Sequence, residues 1–243
     1  MDKDKYFEKI RKKIGRSIYK FNLIEEGDKI LLALSGGKDS LVLLENLAVF
    51  RKYYPKKYEL CACHIVANGV GYQINKKYLE DFCHGMDVKL IFGEIDVDLK
   101  FNSKKHPCFV CSWHRRKKIF SICRELGYQK IAFGHHMDDA IETFFLNLIH
   151  HGSISSLPQK IDFFDGDITI IRPMLELHEE EITKFALLKD HKKELKSCDF
   201  EDKSQRFETK DFIKKTQQMN QRAKHNIFRA MNNIYPDYLP KNI

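Results

Sequence analysis

The chain has 243 residues, 43% of them hydrophobic, which suffices for one large domain with a substantial core and excludes wholesale disorder. A formal net charge of +8 and a pI near 9.0 favour a polyanionic partner over an acidic one. No apolar run has membrane-spanning length, so a cytoplasmic protein with no membrane partner is expected. The N-terminal stretch "MDKDKYFEKIRKKIGRSIYKF" lacks the apolar core of a secretory leader. Its Phe7, Ile10, Ile14, Ile18 and Phe21 recur at helical spacing, predicting an amphipathic helix with a basic outer face. Lys29–Leu34 reads as a buried strand, and Leu41–Phe50 as a helix with Leu41, Leu44, Leu47 and Ala48 on one face. "YELCACHIVA" is a second strand, "YQINKKYLEDFCHGM" a second helix and "VKLIFGEID" a third strand. An irregular basic loop is expected from Val97 to Pro107, then a helix from about Cys111 to Leu126. "QKIAFG" is a fourth strand, "DDAIETFFLNLIHHG" a helix with Asp138 as its cap, "ITIIRP" a fifth strand closed by Pro173, and "HEEEITKFALLK" a helix. The remainder, from Cys198, reads as mainly helical and basic.

Strands alternating with helices imply an α/β doubly wound parallel sheet of about five strands. The expected organisation is a helix over residues 1–27, a nucleotide-binding domain over 28–197, and a helical basic segment over 198–243 packing on that domain. Ligands on such sheets bind beyond the carboxyl ends of the strands, where Ser35–Ser40 and Gly134–Asp139 fall. Basic charge is clustered: residues 100–118 carry seven Lys or Arg and no acid, and residues 203–229 carry eight bases against two acids. Paired basic stretches favour RNA or DNA. Arg116, Lys117 and Lys118, and Lys214 and Lys215, are the candidate RNA-binding residues, with the N-terminal and C-terminal helices as a clamp; a solvated basic face is the bland alternative.

The bend "SGGKDS" at Ser35–Ser40 leaves a strand and opens a helix. Backbone N–H groups and the helix N-terminus there attract phosphate, and Gly36 and Gly37 admit close approach. Ser35, Lys38 and Ser40 add donors. Asp39 would oppose phosphate unless it holds magnesium or manages charge during a reaction. An ordinary strand–helix turn would need one glycine and one serine, not the whole hexapeptide. It is no Walker A loop, since position 32 is Leu. The bend resembles the S-G-G-x-D-S loop of the PP-loop ATP pyrophosphatases, which implies cleavage of ATP between its α and β phosphates. "FGHHMDDAIET" resembles the strand-end signature of RNA-modifying members of that class, carried on Gly134, His135, Asp138, Asp139, Glu142 and Thr143. Ser35, Gly36, Gly37, Lys38, Asp39, Ser40, His64, Gly134 and Asp139 are thus the ATP-binding candidates.

The seven cysteines are odd in number and follow no secretion signal, so a disulfide framework is not expected. Cys61, Cys63 and Cys123 fall inside strands or helices and suit core packing. Cys108 and Cys111, in C-x-x-C spacing, can grip one metal centre from a single turn. With the isolated Cys198 they leave three readings open: an iron–sulfur cluster, a zinc site completed by His114, or a redox pair. Together the loop, the C-x-x-C, the strand-end motif and the later cysteine resemble the tRNA 2-thiocytidine synthetase family. The resemblance runs from about Lys29 to Pro240 and takes in "LNLIHHGSISSLPQK", "IIRPM" and "IFRAMNNIYPDYLP". Where that family often has a second C-x-x-C, this chain has Cys198 followed by Asp199, Phe200 and Glu201. The zinc-finger cysteines of related 2-thiouridine enzymes are absent at both ends, which favours the cytidine branch.

The resemblance implies an enzyme: an ATP-dependent tRNA sulfurtransferase that adenylylates a pyrimidine C2 oxygen and replaces it with sulfur, forming 2-thiocytidine at position 32 of the anticodon loop. It implies a 4Fe–4S cluster on Cys108, Cys111 and Cys198, ATP and magnesium as cofactors, and tRNA and a sulfur donor (a cysteine desulfurase or free sulfide) as partners. It leaves a homodimer open. Asp39, Asp139 and Arg115 are the catalytic candidates, Arg115 with ATP phosphate or RNA backbone as its target. The rival readings are a ligase of the lysidine-synthetase type, which leaves the three cysteines unused, and a zinc-stabilised nucleotide- and RNA-binding module, which leaves Asp39 without a task.

Overall fold

The computed structural model describes residues 2–69, 74–97, 107–192 and 205–240. The predicted basic loop after Val97 and the isolated Cys198 lie outside them. In chain order the elements are α1 (Lys3–Lys20), β1 (Asp28–Ala33), α2 (Lys38–Phe50), β2 (Tyr58–Asn68), α3 (Lys76–Gly85), β3 (Lys89–Asp96), α4 (Pro107–Glu125), β4 (Lys130–Ala132), α5 (Met137–His151), β5 (Lys160–Phe163), β6 (Ile168–Ile171), α6 (Glu179–Leu188), α7 (Gln205–Met219) and α8 (Ala223–Ala230). None of the described helices is long and apolar enough to cross a membrane. The described residues form two compact units. One comprises those within 1–136 and 158–202, the other those within 137–157 and 203–243.

The first unit is built on a six-stranded sheet in the order β3-β2-β1-β4-β6-β5. All neighbours are parallel except β5 and β6. Five strands follow the sequence reading. The sixth, β5, is an addition: four half-exposed residues that pair antiparallel with β6 along the sheet edge. The turn between them places Phe164, Asp165 and Gly166 at positive φ. A strand so short and half-exposed has too little apolar alternation to announce itself.

Alternation along each strand explains the layers. Ile30, Leu32, Leu60 and Ala62 face one side, where α1, α2 and α6 cover them with Ile10, Ile14, Ile18, Leu41, Leu44, Leu47, Ile182 and Phe185. Leu31, Cys61, Cys63 and Ile65 face the other, against Ile119, Ile122 and Cys123 of α4. Each fully buried aliphatic chain is worth about 1.5–3 kcal/mol, so both faces of the sheet are held. α1 follows its predicted pattern: the inward Ile10, Ile14 and Ile18 are at most 1% exposed.

The second unit gathers α5, α7 and α8 around Met137, Ile141 and Ile213, with Phe145, Ile227, Phe228 and Met231 against them. α5 begins at Met137, so Asp138 sits inside its first turn rather than capping it. There the Asp138 carboxylate pairs at 2.5 Å with Lys224 of α8.

Candidate active site

Strand register brings the predicted nucleotide residues to one sheet edge. Ala33 pairs with Cys63, Leu32 with Ala132, and Ala132 with Ile171. One residue further on, Leu34 donates its N–H to the Cys63 carbonyl and Phe133 donates to Ile171. The chain thus leaves β1, β4 and β6 at the same level, where β2 carries His64. Since β1 lies between β2 and β4, the sheet's direction of winding reverses at this point, the crevice where doubly wound sheets hold ligands.

The bend Ser35–Ser40 is closed by its own side chains. Gly36, at φ +88°, donates its N–H to Ser40 Oγ at 3.2 Å. Gly37 N–H donates to Ser35 Oγ at 3.2 Å, and Ser40 Oγ donates to the Gly37 carbonyl at 2.9 Å. Gly37 is the N-cap of α2, so that helix begins at Lys38, three residues before the predicted start. Lys38, Asp39 and Ser40 therefore form its first turn, where backbone N–H groups lack intrahelical partners. A side chain at Gly134 would have its Cβ 3.0 Å from the Asp39 carbonyl group and 3.1 Å from Ser40 N. Glycine lets the chain leaving β4 lie this close without pushing that backbone turn aside.

The charges at the loop are paired. Lys38 Nζ lies 3.0 Å from Asp39 and 2.9 Å from Glu179, the first residue of α6. Burial pulls the Lys38 pKa down, but the two carboxylates outweigh it and hold it above the ordinary value. His136, 4% exposed, places Nε2 3.9 Å from Asp39. His64 is buried, with Nδ1 2.8 Å from the Leu34 carbonyl. Burial lowers its pKa to about 4 despite that bond, with Arg115 of α4 adding to the effect. Arg172, just past β6, is 7% exposed; its Nε donates to His135 Nδ1 at 3.2 Å and NH1 to the Pro158 carbonyl at 2.6 Å. Burial and the charge of Arg116 lower its pKa to about 10. Arg172 and Glu179 were not among the candidates from sequence. An arginine ending an apolar strand at this edge was a usable signal for the first; no local signal marks the second.

The remaining candidates fall into separate places. Asp139 is in the first turn of α5, in the second unit. In that unit Glu142, 4% exposed, faces Lys210 at 3.7 Å. Lys214 and Lys215 are exposed on α7, Lys214 lying 3.4 Å from Asp211. Cys61, Cys63, Cys83 and Cys123 are at most 1% exposed. Burial pushes the last three thiols up to about 12, as core packing requires.

Cys108 and Cys111 are the second and fifth residues of α4, which starts at Pro107 rather than near Cys111. Proline suits a first helical position, having no N–H to leave unbonded. A helix N-terminus favours thiolate over thiol. Cys111 is half-buried against Ala67, Val97 and Val110. The described residues hold no group of three or more His, Cys, Asp and Glu able to bind a metal. The chemistry of this turn fits two ligands of a shared centre, with Cys198 outside the described residues.

These features define a class. A family model for the PP-loop domain matches residues 7–216. The tRNA-cytidine(32) 2-sulfurtransferase 1 of Francisella tularensis subsp. novicida is 34% identical over 95% of this chain and 87% of its own length. The tRNA-cytidine(32) 2-sulfurtransferase of Pseudomonas syringae pv. tomato is 31% identical over 98% of this chain and 88% of its own. The chain belongs to the PP-loop proteins and, within them, to the tRNA-cytidine(32) 2-sulfurtransferase family. Among solved structures, the U34-tRNA thiolase NcsA from Methanococcus maripaludis, described with its 4Fe–4S cluster, shares the fold. Its TM-score is 0.80 at 21% identity, over 99% of this chain and 82% of that one.

Proposed function

We propose that this chain is an ATP-dependent tRNA sulfurtransferase that forms 2-thiocytidine at position 32 of the anticodon loop. The pyrimidine C2 oxygen attacks the α-phosphorus of ATP, the bond to the β-phosphate breaks, and pyrophosphate leaves. A sulfur nucleophile then adds at C2, the C2–oxygen bond breaks, and AMP departs. The observation that carries the reading is the Ser35–Ser40 bend at the reversal point of the sheet, with Gly134 against it. Ser35, Gly36, Gly37 and the first turn of α2 cradle the pyrophosphate, and Lys38 offsets its charge. Asp39 would hold magnesium beside it. His64, neutral and with its Nδ1 proton given to Leu34, lines the ATP site beside the loop. Arg115 binds phosphate, and Asp139 keeps the charge-orienting role that its motif implies.

Cys108, Cys111 and Cys198 would hold the 4Fe–4S cluster, the group that the thiolase neighbour is described as carrying. When bound, it supplies the sulfur nucleophile near the activated ring. The relatives' names support the cytidine specificity.

The test supplies tRNA, ATP and sulfide to anoxically reconstituted protein and measures AMP and 2-thiocytidine. Asp39→Ala, at a side chain one-third exposed, should fold and lose both products by roughly 100-fold or more. AMP formation at the wild-type rate would overturn the assignment. In the same preparations, iron should persist in His114→Ala. Zinc that disappears with His114 would instead mark a four-coordinate Cys₃His site.

A further inference from the structure

Trp113, the chain's only tryptophan, is 52% exposed on α4. An exposed indole forgoes the burial that large aromatic side chains ordinarily supply. The ring is nonetheless held in place: Lys117 Nζ lies over it at 5.5 Å from the centroid, and the His114 ring meets it edge-on at 5.0 Å. Phe109, one turn earlier, is 57% exposed. Arg116 and Lys117 are exposed one turn later, and the sole acid of α4 is Glu125 at its far end. Trp113 stands two residues from Cys111 and two from Arg115.

We propose that Trp113 is a stacking platform for an unpaired nucleobase of the RNA substrate, with Arg116 and Lys117 contacting the flanking phosphates. The inference rests on the proposed tRNA thiolation and adds a contact for the loop being modified. Charge decides the occupant: an aromatic face beside Arg116 and Lys117, on a helix whose sole acid is at its far end, matches a polyanion that also carries flat π-faces. Single-stranded nucleic acid is that combination, since every unstacked base can lie on an indole while its phosphates meet Lys and Arg. A protein groove or a lipid surface would want more apolar area than one fixed indole and one phenyl. Lys117 lies over the ring, and the indole still keeps about half of its surface exposed for a base.

Because the chain has a single tryptophan, emission excited at the red edge of the absorption band, where tyrosine does not absorb, reports Trp113 alone. The probes are an RNA stem–loop with an unpaired pyrimidine-rich loop, a blunt RNA duplex of equal charge, and heparin, all at one salt concentration. The stem–loop should quench the emission, whereas duplex and heparin should leave it largely unchanged. Filter binding should show Trp113→Ala about tenfold weaker for the stem–loop, in the range one base–aromatic stack supports, with Trp113→Phe recovering most of the affinity. Melting temperatures of both variants should match the wild type, which separates lost stacking from lost fold. Equal quenching by heparin or duplex, or wild-type affinity in Trp113→Ala, would overturn the proposal. AMP formation with tRNA, measured alongside, separates the two failures. If the wild type forms AMP and Trp113→Ala binds RNA normally, stacking alone is wrong. If the wild type neither binds the stem–loop nor forms AMP, the thiolation reading falls and the stacking proposal with it.

Discussion

At His64 the environment of one ring decides what it can do. The Leu34 carbonyl can only accept, so Nδ1 carries the proton. With its pKa lowered to about 4 by burial, the ring is neutral at pH 7. The folded pKa lies below the unfolded value near 6.5, so between these limits the unfolded chain binds the extra proton. The contribution of His64 is therefore complete above about pH 6.5 and is lost as the pH falls toward 4, amounting to roughly 3 kcal/mol. His64→Asn keeps a donor for Leu34 but does not titrate. The Tm gap between wild type and His64→Asn should narrow or reverse from pH 7.5 to 4.5; a gap constant across that range would show that the ring is not held neutral. How much of such a site sequence reveals depends on the range of the interaction. Ser35–Ser40 was legible because a glycine at φ +88° and a helix start are local demands. The pairing of Lys38 with Glu179, 141 residues away in the chain, and of Arg172 with His135 arises only when the sheet and its helices assemble.

Among the elements, α2 was read as a helix with one apolar face, yet it is buried almost all round, including the carboxylate of Glu45 at 2% exposure. The periodic leucines are visible in the sequence; the second cover, from α1 and α6, is not, because it comes from segments on either side of α2 that only the assembled sheet brings together. Two cations and an imidazole meet that carboxylate: Lys189 at 2.8 Å, Arg11 at 3.7 Å and the His191 ring at 3.0 Å. Burial raises the Glu45 pKa, but its bonds to His191 and Lys189 more than compensate and hold it below the usual value. The clamp ties α1 and the end of α6 to the helix that opens the candidate phosphate loop. Breaking a buried pair by deleting one partner leaves uncompensated charge. Glu45→Ala should therefore cost roughly 3 kcal/mol, or about 6–12 °C in Tm for a chain of this length. A shift within 1 °C, measured by thermal melting at neutral pH, would show that the clamp contributes no net stability. The edge strand β5 and the early start of α4 at Pro107 are smaller discrepancies, both at element ends, where propensity is weakest and tertiary pairing decides.

For the molecule as a whole, composition announced a basic protein without saying which charges are available to RNA. The structure sorts them. In the second unit Lys224 and Lys210 face Asp138 and Glu142, so part of the C-terminal excess neutralises α5 rather than a ligand. Lys214 and Lys215 point outward on α7. In the first unit, Lys118 runs its stem close to Gly93, so reversing its charge would disturb the sheet as well as any RNA contact. α1 offers a cleaner test: Lys5, Lys9, Lys12 and Arg16 line a shallow cleft along its outer face. Lys12 is engaged by Glu8 at 2.7 Å, which makes Lys9 and Arg16 the informative pair. If both helices track phosphate, Lys9→Glu/Arg16→Glu and Lys214→Glu/Lys215→Glu should each weaken tRNA binding at low salt. Each should also flatten the slope of log K against log salt by roughly 1 to 2, since every lost phosphate contact removes one released counterion. ATP affinity should hold in both double variants, because neither pair includes a residue of the Ser35–Ser40 loop. A tRNA titration from low to high salt, repeated with each variant, separates the two helices. A slope unchanged in one double variant removes that helix from the RNA surface, and a slope unchanged in both confines phosphate contact to α4 and the candidate active site.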